Sequence, residues 1–172
     1  MTRLARFVPS AVALLLLGVP LVFYLAADGG RIGRRGFTPH MPDWGLLSAA
    51  PWVIQLHVAA AMTALMIGVV LLIGVKGSRL HRGLGWTWVL VMAIAAISSF
   101  FIRQLNPGGL SLVHLISGWT VIALPMAVHA ARRHQVQAHR RAMTGMFVGG
   151  LIVAGLFAFL PGRLMWAVFF GR

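Results

Sequence analysis

Residues 111–134 read SLVHLISGWTVIALPMAVHAARRH, an apolar run with His114 near its start and His129 near its end. A histidine in such a segment must face protein, water or a metal centre, because its ring nitrogens are costly to leave unpaired in lipid. Neutral imidazole gives one lone pair to iron while its other nitrogen donates a hydrogen bond that fixes the ring, and low-spin haem uses this chemistry. On an α-helix the interval from His114 to His129 is about 22 Å along the axis and about 60° around it, so one helix offers an imidazole to each of two layers.

The remaining histidines sort by depth in the same way. His57 lies in the preceding half of the chain at a depth matching His114, and these two form an outer pair. His81, in the turn before its apolar run, His129, closing one run, and His139, opening the next, share an inner layer with His134. Two axial ligands must reach a flat macrocycle from opposing helices. His57 with His114 meets that need, and so does His81 with His139, which stand on diagonal helices of a sequential bundle. His129 is able to replace either inner ligand, and His134 reads as an interfacial residue beside arginines. The expected cofactor is haem b, one or two per chain.

Small residues follow the first of these histidines at helical spacing: Ala60, Ala61, Ala64 and Gly68 after His57. Ser117, Gly118, Val121 and Pro125 follow His114, and Met143, Met146 and Gly150 follow His139. Such stripes admit a porphyrin, but they are also how transmembrane helices pack against one another, and packing is the commoner reason for them.

The elements that must position these groups are membrane helices. Of 172 residues 59% are hydrophobic and only two, Asp28 and Asp43, are carboxylates. The mean hydropathy is +0.88, outside the range of soluble domains. Five apolar runs, at 7–27, 50–75, 84–102, 110–131 and 142–160, are each long enough for a bilayer core of about 30 Å. The expected fold is all-α and integral to the membrane, a single domain over 1–172. It has an N-terminal anchor helix at 7–27, retained although its basic start resembles a secretory signal. A four-helix bundle at 50–160 and a short interfacial tail at 161–172 complete it. Pro51 suits a first helical turn, Asn-Pro-Gly-Gly at 106–109 marks a turn, and Pro125 is expected to bend its helix locally.

Charge and composition exclude several function classes. With no cysteine there are no disulfides, no thiolate-held iron–sulfur cluster and no covalent haem attachment. The net charge of +13 comes from arginines at the ends of apolar runs, which fits anionic lipid headgroups and not nucleic acid. Two loop carboxylates leave acid–base catalysis and carboxylate-driven ion transport without their usual groups. Arg3, Arg6, Lys76, Arg79, Arg82, Arg132, Arg133, Arg140 and Arg141 share one side, against Arg31, Arg34, Arg35, Arg103, Arg163 and Arg172 on the other. This bias places the N-terminus in the cytoplasm.

The segments QLH at 55–57, HRGLGWTWVLVM at 81–92, HRRAM at 139–143 and LFAFLPGR at 156–163 resemble a bacterial integral membrane family known only as domain of unknown function two-three-zero-six. The resemblance covers about residues 50–171. More distantly, the arrangement is similar to the four-helix dihaem cytochromes of the cytochrome b561 superfamily. There the first and third core helices ligate one haem and the second and fourth the other. That resemblance implies His57 with His114 and His81 with His139.

The sequence thus leads to a b-type haem cytochrome of a bacterial inner membrane, carrying electrons between a quinol-like donor and an acceptor. A quinone, a larger membrane complex or further copies of the chain are the expected partners besides lipid; as an enzyme it would be a membrane oxidoreductase. The alternatives are a non-redox structural or assembly subunit of a larger complex, which is colourless, and a protein binding a divalent metal at the inner histidines.

Overall fold

Pro51 leads into the first long helix with φ −50° and ψ 141°, the geometry its ring imposes ahead of a helix where no N–H is needed. The computed structural model describes residues 40–102, 112–160 and 162–170. The expected anchor at 7–27 and the turn at 106–109 lie outside the described residues, as do Arg31, Arg34, Arg35, Arg103 and Arg172. The chain divides into two compact units, Leu47–Gly155 and a smaller one formed by Met1–Leu46 with Leu156–Arg172.

The described residues form α1 (Trp44–Ser48), α2 (Trp52–Ile73), α3 (Arg79–Ser99), α4 (Leu112–Arg132) and α5 (Val136–Gly145). After them come a π-helical segment, π1 (Met146–Val153), then α6 (Ala154–Ala158) and α7 (Leu164–Phe170). Four helices are long and apolar enough to cross a membrane: Trp52–Ile73, Arg79–Ser99, Val113–Arg132 and the continuous helix Val136–Ala158. At 1.5 Å per residue each spans roughly 30–35 Å, the thickness of a hydrocarbon core. Their outward faces are apolar, with Met62, Met66, Leu90, Leu115 and Ile122 all exposed. That is the surface lipid requires.

Local chemistry sets the ends. α2 closes where Gly74 donates its N–H to Val70 O and Lys76 Nζ donates to Leu72 O and Gly74 O, so a cation satisfies carbonyls left over at a helix C-terminus. Gly77, at φ +77°, turns the chain. Ser78 then caps α3, its Oγ accepting the His81 N–H at 3.0 Å. α3 therefore begins five residues earlier than hydropathy indicates, and His81 sits in its first turn instead of in the preceding loop. Arg79, Arg82, Gly83 and Gly85 lower the local hydropathy there, but a serine cap starts a helix regardless of it. Likewise the last spanning helix begins at Val136, so His139 lies one turn inside. α4 runs through Pro125 without interruption.

The turn from α4 to α5 is a Schellman motif: Gln135 N donates to Ala130 O and His134 N to Ala131 O. His134 occupies the left-handed position at φ 56°, where glycine is usual because a Cβ is penalised. His134→Gly is therefore expected to raise stability by up to about 1 kcal/mol, read as a higher thermal unfolding midpoint in detergent. A lower midpoint would give the imidazole a role that this turn does not need.

Within Leu47–Gly155 each spanning helix packs on its neighbours in sequence, and π1 closes the ring against α2. α2 and α4 thus stand on one diagonal, α3 and α5 on the other. The centre holds Ala64, Trp88, Met92, Ala123, Leu124, Ala127, Met146, Phe147 and Leu151. Trp88, 3% exposed, donates its indole N–H to Ala64 O at 2.9 Å. Gly68 lets the Phe147 ring reach the α2 backbone. A Cβ there would stand 2.5 Å from two Phe147 ring carbons and 2.9 Å from Trp88 Nε1. The small stripe of α2 thus serves helix packing. The wide turns of π1 carry Gly149 and Gly150, and a Cβ on Gly150 would approach Met92 Cε at 3.3 Å and Thr120 Oγ1 at 3.4 Å. Short π segments interrupt helices where side chains must be re-aimed.

In the smaller unit His40 N donates to Phe169 O and Asp43 N to Val168 O. Trp44, Phe159, Trp166, Phe169 and Phe170 form a connected set of ring contacts. Asp43 accepts the Gly45 N–H at 3.0 Å at the start of α1, a local turn role for one of the two carboxylates.

Candidate functional site

His57 projects from α2 toward α3. Its Nδ1 lies 2.9 Å from the Ala95 carbonyl oxygen and 3.1 Å from Ser98 Oγ. A carbonyl only accepts, so Nδ1 carries the proton and Nε2 keeps its lone pair. Ser98 Oγ itself donates to Ala95 O at 3.0 Å and stands beside the ring as a second polar contact. His139 repeats the pattern in the other layer: its Nδ1 donates to Ala127 O on α4, again at 2.9 Å. In each case a partner helix fixes the ring through one nitrogen and leaves the other as a base or metal ligand.

His114 is buried on α4, with its ring 6.0 Å from the Phe100 ring centroid and tilted by 58°. Around it is a set of buried hydroxyls. Ser99 Oγ donates to Ser117 Oγ at 2.5 Å, and Ser98, Ser99, Ser117 and Thr120 are all at least nine-tenths buried. The buried face of α4 runs through His114, Ser117, Thr120, Ala123, Leu124 and Ala127. It does not follow the expected stripe to its end: Val121 and Pro125 are exposed. The expected i+7 and i+11 positions rotate away because the helix turns its Thr120 and Ala127 side toward π1 and α5.

His81, in the first turn of α3, is half-buried and lies within electrostatic range of His139. The two stand on diagonal helices, as do His57 and His114. His129 is exposed and lines a groove between α4 and α5. The layers are divided by the aromatic core: His57 is about 10 Å along α2 from Ala64, and His81 is about 10 Å along α3 from Trp88.

Imidazole is the donor type that haem iron accepts. Bis-imidazole ligation takes two protein nitrogens per iron, whereas a structural zinc site takes three or four protein ligands. Among the described residues no three histidine or carboxylate side chains come together as a metal site. At the level of His57 and His114 the small side chains Ala60, Ser99 and Ser117 stand with the larger Ile54 and Phe100. A groove of about 340 Å³ between α2 and α3, lined by Trp52, Leu56, Ile97, Ser98 and Phe101, and the groove at His129 are both open to the outside, and neither is lined by His57 or His114. The correspondence with haem ligation is thus one of residue type and helix order alone.

Four spanning helices arranged in sequence order, with imidazoles on both diagonals, define a small polytopic helical membrane protein. The chain belongs to the family described as Predicted membrane protein (DUF2306), which matches residues 54–169. No curated protein and no solved structure matches the chain.

Proposed function

We propose that this protein is a b-type haem cytochrome of a bacterial cytoplasmic membrane, carrying electrons between a quinol-like donor and an acceptor. One observation carries the reading: His57 and His139, in different layers, each commit Nδ1–H to a main-chain carbonyl of a neighbouring helix at 2.9 Å. Such second-shell bonds orient a ligating imidazole and raise its basicity. His57 with His114, and His81 with His139, are the proposed axial pairs, with one or two haems. His129, on the exposed groove, is the reserve inner ligand. Haem supplies a one-electron iron couple when bound; the chain's own part is to hold the rings and to exclude water, which tunes the potential.

The basic turns support an N-terminus in the cytoplasm. Lys76, Arg79 and Arg82 flank one turn and Arg132, Arg133, Arg140 and Arg141 the other, both on the side that the positive-inside rule assigns to the cytoplasm. The aromatic α7 suits the membrane interface, where Trp166 reaches headgroup depth.

The packed centre of Trp88, Met92, Met146 and Phe147 favours a second reading, a structural subunit whose histidines only tie helices together. A dithionite-reduced minus air-oxidised spectrum of the purified protein separates the two, with haem quantified as the pyridine haemochromogen. A sharp α-band with stoichiometric haem is the expected result. A colourless protein, expressed with ample haem, overturns the cytochrome reading.

A further inference from the structure

A second feature lies on the outside of the bundle. Between α4 and α5 runs a groove of about 590 Å³ lined by residues that include Pro125, Met126, His129, Gln135, Ala138 and Ala142. It is amphipathic along its length. Pro125, Met126 and Ala142 lie toward the middle of their spans, whereas His129, Gln135 and Ala138 lie at the turn. Pro125 lies seven positions before the helix end at Arg132, so the groove enters the span by about 10 Å.

Basic residues flank its shallow end in the chain. Arg133, Arg140 and Arg141 are exposed, Arg132 stacks over the Trp86 ring at 5.7 Å, and the sequence carries no carboxylate after Asp43. These guanidinium groups therefore have no internal counter-ion in Leu47–Gly155. The first turn of α5 adds to the field, because Gln135 at its N-cap makes no side-chain cap bond and helix N-terminal N–H groups attract anions.

We infer that this groove seats one anionic glycerophospholipid, with an acyl chain along Pro125, Met126 and Ala142 and its phosphate at the 133–135 turn beside Arg133 and Arg141. Basic pockets between transmembrane helices recognise such headgroups. The depth of the groove selects an amphiphile over a water-soluble acidic protein, and the uncompensated charge selects an anionic head over a neutral quinone.

Native mass spectrometry of the detergent-solubilised chain tests this, with phosphatidylglycerol, phosphatidylcholine and ubiquinone offered together. One phosphatidylglycerol per chain is expected to be retained, favoured by at least about tenfold over phosphatidylcholine. Ala138→Phe fills the groove and keeps every arginine, so it is expected to lower that retention about tenfold. The double variant Arg133→Gln, Arg141→Gln, both at exposed positions, is expected to equalise the two lipids. Equal retention of both lipids by the wild type overturns the inference, as does retention of ubiquinone in place of phosphatidylglycerol. A dimer that Ala138→Phe splits would make the occupant a second copy of the chain and also overturns it. If the Phe variant does not fold, the double variant decides alone: an unchanged lipid preference there refutes the site.

Discussion

Gly68→Ala is expected to destabilise the bundle by about 2 kcal/mol, although alanine is the better helix former by about 1 kcal/mol. The new Cβ would meet Phe147 Cδ2 and Cε2 at 2.5 Å and Trp88 Nε1 at 2.9 Å, so one of these rings must move. Trp88 is held by its bond to Ala64 O at 2.9 Å, and giving that up costs about 1 kcal/mol on top of overpacking. Phe147 is 6% exposed and lies in the same cluster as Met92 and Met146, so its displacement disturbs the junction of α2, α3 and π1. Gly83→Ala, in α3, is the control, because nothing lies within 4 Å of its Cβ position and helix propensity alone should leave the protein equally or slightly more stable. The same chemical change thus has opposite signs at two helical glycines. Thermal unfolding in detergent, followed by circular dichroism at matched protein concentration, reads both. Equal midpoints for Gly68→Ala and the wild type would mean that Phe147 and Trp88 do not meet α2 at Gly68.

That junction shows what the sequence carried and what it did not. The apolar runs at 50–75, 84–102, 110–131 and 142–160 were enough to find four spanning helices, because length and charge avoidance are strong constraints in a bilayer. The diagonal order of His57 with His114 and of His81 with His139 followed from short connections alone. Trp88 and Phe147 were not legible as the centre of the bundle. In an all-apolar run periodicity fails to mark the inward face, since lipid and core accept the same side chains. The one signal was position: Trp88 stands mid-span, away from the interfacial belt where tryptophan collects. His81 was misplaced by hydropathy, because Arg79 and Arg82 hide a helix start that Ser78 announces. His134 owes its position to a left-handed turn, a backbone property that no composition reveals. The π segment likewise has no sequence rule beyond its paired Gly149 and Gly150.

His57 offers the largest single effect. His57→Ala is expected to remove the α-band contributed by its layer entirely, halving the haem content if both layers are filled and abolishing it if only this one is. A cost in fold stability alone would be far smaller, about 1 kcal/mol for one neutral hydrogen bond to Ala95 O. His57→Gln separates the two consequences. A glutamine amide N–H is able to donate to the same carbonyl but offers no imidazole nitrogen to iron, so the variant should unfold near the wild-type midpoint and still lack the band. Ser98→Ala should behave in the opposite sense: Nδ1 keeps its bond at 2.9 Å to Ala95 O and loses only the 3.1 Å contact to the hydroxyl, so haem is retained. His129→Ala, altering an exposed groove residue, should leave the spectrum unchanged. If His57→Gln keeps full haem while His57→Ala loses both haem and fold, then His57 holds helices together and does not ligate iron. The axial pair would then have to be sought among His81, His114 and His139. The ordering of these variants, by colour on one axis and unfolding midpoint on the other, therefore distinguishes a ligand from a helix tie at the same side chain.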